Sequence, residues 1–125
     1  MKPLKWKFVK PPKLDGITRE SGVYTISTQQ DNDGEFEVKY VGQADNLFER
    51  AKEHWSKNEK NEQLKKHIAE KYAMKFSFSV VSSKSDRDGL ELFLYNTFDP
   101  PFNTKAPLCE TIVRTTNLPE VRKHM

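Results

Sequence analysis

Two tyrosines in this chain stand beside glycines in short apolar stretches, Tyr24 in Gly22-Val23-Tyr24 and Tyr40 in Tyr40-Val41-Gly42. Arg50 and His54 follow, four residues apart, so on a helix they project from one side. Glu91 is set among Leu90, Leu92, Phe93 and Leu94, and Asn103 comes soon after the Pro100–Pro101 pair. Phenol, guanidinium, imidazole and carboxylate are the groups for proton transfer beside a fixed positive charge, provided they converge. A carboxylate buried in that apolar company is costly without a partner, so Glu91 calls for an arginine or a metal cation nearby. Taken singly, each residue has a plain structural reading: a sheet aromatic, a solvated helix face, a loop amide.

Convergence depends on the elements that carry these groups. Residues 22–28 and 36–42 are rich in Val, Ile, Thr, Tyr and Phe and flank "QQDNDGE", which predicts a β-hairpin. Alternation places Tyr24 with Gly22 and Ile26, and Tyr40 with Val38 and Gly42. For both tyrosines to share a face the pairing must have even register, through an odd-length loop or a bulge. Asp45 or Asn46 caps a first helix carrying Leu47, Phe48, Ala51 and Trp55. A second helix is expected from Glu59 to Tyr72, with Leu64, His67, Ile68 and Tyr72 on one stripe. Its lysines interspersed with Glu59, Glu62 and Glu70 read as a solubilising face, and His67 as a helix-face residue. "KFSFSVVS" alternates as a half-buried strand. Asp86 or Asp88 caps a third helix that stops before Pro100–Pro101. The order ββααβα is an α+β domain.

Together these residues resemble the GIY-YIG nuclease superfamily: "GVY", "YVG", the Arg50/His54 helix, and "ELFLYNTFDPPFN" from Glu91 to Asn103. The resemblance covers Gly22 to Asn103 and implies a three-stranded antiparallel sheet with flanking helices. It also implies metal-dependent endonuclease activity on DNA, with Tyr24, Tyr40, Arg50, His54, Glu91 and Asn103 as catalytic residues. Glu91 would hold one divalent cation, Mg²⁺ or Mn²⁺, and Arg50 would grip the scissile phosphate. A phenol is a poor base at its ordinary pKa near ~10, so the tyrosines need a cationic neighbour, the metal field or a water relay. On this reading Tyr40 is the base or water-orienting group and Tyr24 its partner. His54 assists proton transfer or contacts phosphate, and Asn103 orients Glu91 or the backbone around it. Both middle positions of the tripeptides are valine, and the connection between them is long for the family.

The remaining sequence narrows the setting. At 125 residues the chain is expected to be a single domain, core 22–103 with short extensions. A net charge of +3 permits a polyanionic partner without requiring one. One cysteine, Cys109, excludes an internal disulfide and a cysteine-based zinc site. With no signal peptide and no membrane-length apolar run, cytoplasmic localisation and no membrane partner are expected. "LKWKFVK" near the N-terminus reads first as an edge strand guarded by lysines, and second as a nucleic-acid grip through Lys5 and Lys7. Arg114 would extend such a surface weakly, and His124 is a tail residue.

Recognition surface beyond the core is scarce, so substrate choice would come from DNA structure, a recognition partner or self-association. The competing readings are a non-catalytic nucleic-acid or protein binding module on the same fold, and a nuclease subunit active only in a larger assembly.

Overall fold

A computed structural model describes residues 3–29 and 34–123. Most of the turn between the first two strands assigned above, and His124, lie outside the described residues. The strands are β1 (Lys7–Val9), β2 (Gly22–Gln29), β3 (Glu37–Ala44) and β4 (Ala73–Val80). The helices are α1 (Leu47–His54), α2 (Glu62–Ala69) and α3 (Lys84–Phe98).

The four strands form one antiparallel sheet in the order β1-β4-β2-β3. The three-stranded sheet expected from the resemblance is therefore corrected to four, because the lysine-guarded N-terminal segment pairs with β4 as an edge strand. Alternating side chains divide between two cores. Tyr24, Ile26, Phe76 and Phe78 meet Leu47 of α1 and Leu64 of α2 on one face. Val23, Val38 and Val41 meet Leu90, Leu94 and Phe98 of α3 on the other. Burial on both faces explains why β2 reads as a nearly continuous apolar and small-polar run.

Each helix begins where a short polar side chain accepts a backbone N–H. Asn46 takes Glu49 N, Asn61 takes Leu64 N and Ser83 takes Asp86 N. The cap at Asn61 shortens α2 relative to the expected 59–72 helix and leaves Glu59 in the connecting loop. The cap at Ser83 starts α3 earlier than Asp86 or Asp88 would. Asp99, at φ 46°, turns the chain out of α3 just before the proline pair.

β3 is the second edge, and the C-terminal part of the chain closes it. Arg122 accepts from Val38 N and donates to Phe36 O, while Phe102 N donates to Lys39 O. Between these contacts the Asn103 side chain takes Val41 N at 2.9 Å and gives to Val41 O at 2.8 Å, imitating a paired strand residue. An edge so satisfied has no backbone ladder to offer another chain there.

Candidate active site at the β3 edge

The tyrosines share a face because of a bulge. Tyr24 pairs with Gly42 and Ile26 with Tyr40, but the next pair is Ser27 with Val38, leaving Lys39 as the extra residue. Above the bulge the register is even, so both phenols point to the α1 side. Below it the alternation inverts. Val38, expected beside Tyr40, instead packs in the α3 core.

The glycines are a condition of this arrangement. A Cβ at Gly42 would lie 2.5 Å from both the Cζ and the hydroxyl oxygen of Tyr24, so the Tyr24 ring occupies the space a side chain would fill. At Gly22 a Cβ would come within 2.1 Å of the Ser79 carbonyl oxygen. Between these constraints Tyr24 stacks on Phe76 at 4.8 Å and on Tyr40 at 6.2 Å. Gly42→Ala should therefore displace the Tyr24 ring and cost about 1–3 kcal/mol of folding free energy, as overpacked cores do. Denaturant unfolding measures this, and an unchanged midpoint would mean that the ring does not rely on that space.

α1 carries Arg50 and His54 to the same place. The Arg50 guanidinium stands beside both phenol oxygens, where its charge and N–H groups favour phenolate. It also pairs with Glu53 at 2.9 Å. Burial, followed by the neighbouring Tyr40, pushes the buried Tyr24 phenol well above its usual range, and Arg50 offsets only part of this. Tyr40 is half-buried; burial raises it too, against the pull of Arg50. Both phenols are protonated at neutral pH, and Tyr40 is the one that reaches solvent.

His54 is not on a solvated face. It is buried, and its Nε2 lies 2.7 Å from the Tyr24 hydroxyl. Its Nδ1 meets the Glu59 carboxylate. Burial lowers the His54 pKa, with Arg50 adding to the effect and the hydrogen bond to Glu59 opposing it. Glu59 itself is buried, which alone would raise it. The hydrogen bonds from His54 and from Asn61 N outweigh burial and hold it below the usual carboxylate range. The reading of Glu59 as part of a solubilising face is thus corrected: the loop before α2 turns it inward. His67 is likewise corrected from helix face to core, buried with its Nε2 at 2.8 Å from Thr28 Oγ1.

Glu91 approaches from α3, on the other side of the sheet, close enough to the β3 edge for its charge to raise both phenols. It is half-buried, and its carboxyl is held by the Gln43 amide, which donates 3.1 Å to Glu91 Oε1 and 2.6 Å to Asp88 Oδ1. Lys84 binds Asp88 and not Glu91. Burial raises the Glu91 pKa; Gln43 and Lys84 counteract it and Asp88 adds to it. Among the described residues no three His, Cys, Asp or Glu side chains gather into a metal-binding group. An ion at Glu91 would therefore draw most of its donors from water and substrate oxygen. Mg²⁺ and similar hard cations are bound in this way by one or two carboxylates, so the donor set fits.

The other candidates are placed differently. Asn103 does not touch Glu91; its amide clamps β3 at Val41, between the two site positions Tyr40 and Gly42. Lys5 and Lys7 lie at the opposite edge of the sheet, lining a concavity of about 430 Å³ with Phe78. Arg114 is exposed, its guanidinium 5.8 Å from the centre of the Phe93 ring. No helix among the described residues is long and apolar enough to cross a membrane. The chain matches no family model, no curated protein and no solved structure.

Proposed function

We propose that this protein is a metal-dependent endonuclease that hydrolyses DNA phosphodiester bonds through a site of the GIY-YIG type. One observation carries the reading: Tyr24 and Tyr40 stack on one face of the sheet with the His54 ring against both, and the charge of Arg50 pulls both phenols toward ionisation while that of Glu91 on α3 acts the other way. Acidic, basic and cationic groups so gathered from β2, β3, α1 and α3 suit in-line attack of water on a phosphodiester.

A divalent cation held by Glu91 would supply Lewis-acid charge at the phosphate oxygens. The chain's own groups do the rest. Tyr40, the solvent-reaching phenol, orients the attacking water. Arg50 offers forked donors to the phosphate and stabilises the charge that builds on it. His54, neutral at physiological pH because it is buried, takes up a proton through Tyr24. Asn103 keeps β3 in register so that Tyr40 and Gly42 stay opposite Ile26 and Tyr24.

The test is incubation with single-stranded, duplex and branched DNA in Mg²⁺ or Mn²⁺, with and without a chelator. Cleavage that the chelator removes is the expected result. Products only after adding a second component would favour a subunit of an assembly, and binding without cleavage under all conditions would favour a non-catalytic module. The complete burial of Tyr24 is what a purely structural tyrosine would also show, which gives that last outcome its weight.

A further inference from the structure

Glu59 lies outside the six residues assigned above, and its carboxylate is buried against one partner that matters, the His54 ring. The direction of the hydrogen bonds follows from what each group can do. An ionised carboxylate only accepts, so His54 carries its proton on Nδ1 and donates it to Glu59. In a neutral imidazole Nε2 is then an acceptor, so the Tyr24 hydroxyl donates to it across 2.7 Å. With its only proton committed to His54, the Tyr24 oxygen turns lone pairs toward Arg50 and Tyr40.

We propose that Glu59 is a positioning residue that fixes this tautomer and so polarises a Glu59–His54–Tyr24 relay to accept a proton from the side of Arg50 and Tyr40. The inference rests on the nuclease reading for the source of that proton, the attacking water. As the water's O–H bond breaks, its oxygen bonds to phosphorus and the bond from phosphorus to the leaving oxygen breaks, while the water's proton passes by way of the Tyr40 hydroxyl to the Tyr24 oxygen. Tyr24 passes its own proton to His54 Nε2. Tyr24 thus ends neutral, His54 ends as imidazolium, and the Glu59 carboxylate balances the new charge. The reverse transfer supplies the proton for the leaving oxygen. No phenolate need accumulate, which accords with a Tyr24 hydroxyl too buried to ionise readily. The groups facing His54 are Tyr24 from β2, Tyr40 from β3, Arg50 and Glu53 from its own helix, and Glu59 from the loop.

Nitrogen-15 NMR of histidine-labelled protein tests the relay without an assay. In the parent protein near neutral pH, His54 should be neutral with the proton on Nδ1; a proton on Nε2 would overturn the proposal. In Glu59→Gln the His54 proton affinity should fall about tenfold or more, since the balancing charge is lost. Metal-dependent turnover should fall about 10²–10³-fold with KM within twofold, and the basic-group limb of the pH–rate profile should move down with His54. Parent-like kcat in Glu59→Gln, or a lower kcat with the His54 tautomer and titration unchanged, would each reduce Glu59 to a structural role. If the parent cleaves no DNA in any metal, the nuclease reading fails by itself, and the NMR result still decides whether the relay exists.

Discussion

Glu91→Gln is expected to abolish metal-dependent cleavage while leaving the fold, and most of the affinity for DNA, in place. Glu91 is a carboxylate whose charge acts on both phenols, and its neighbour on α3, Asp88, is already engaged by Lys84 and Gln43. The amide substitution keeps shape and removes the charge that a cation needs. It also predicts a second result, of opposite sign. Burial holds the Glu91 pKa above its ordinary value, so in metal-free protein the folded state retains this proton longer than the unfolded chain as pH rises. Stability contributed by the protonated form is full below the unfolded pKa and is lost as pH climbs through the folded one. At neutral pH the ionised carboxylate is thus a cost, and Glu91→Gln measured in chelator should melt no lower than the parent. Lost activity with equal or greater thermal stability would mark a group kept for function. Cleavage near the parent rate would remove Glu91 from the site, and a substantial fall in melting temperature would give it a structural role.

What the sequence discloses here is what local rules govern. The hairpin strands, the cap at Asn46 and the stop before Pro100–Pro101 follow from alternation, side-chain capping and proline geometry, and they lie where expected within a residue or two. The edge-strand reading of the lysine-rich N-terminus holds as well, since β1 pairs on one side only. The features that escaped are set by distant partners. Nothing local distinguishes Lys39 as a bulge residue, yet that insertion decides which face Tyr40 takes. Glu59 looks like any loop glutamate until the Asn61 cap delays α2 and turns it toward His54. The available signal was the spacing: a histidine at the end of one helix and a glutamate five residues on, across a tight connection. Gln43 sits next to Gly42 but faces the other side of the sheet, and only the packing of α3 reveals that it holds Glu91. Asn103 was legible as a site neighbour, but its partner, Val41, is sixty-two residues earlier, and its role is to complete an edge.

Arg50→Ala should lower turnover by about two to four orders of magnitude and weaken DNA binding far less, because a group aimed at charge that develops in the transition state contributes little before it. The geometry gives Arg50 two duties. It is the cation beside both phenols, and its partly exposed side chain is tethered to Glu53. Its loss removes the charge that offsets burial at Tyr24 and Tyr40, so both phenols become harder to ionise. Arg50→Lys separates the two effects. A lysine restores a positive charge near the phenols but not the planar fork that meets two phosphate oxygens. If Arg50 acts on the phosphate, the lysine variant should remain well below the parent in kcat, with tyrosine titrations close to the parent's. If it acts only on the tyrosines, lysine should recover most of the rate. A deficit confined to KM in both variants would assign Arg50 to substrate grip and leave transition-state stabilisation to the cation that Glu91 would hold.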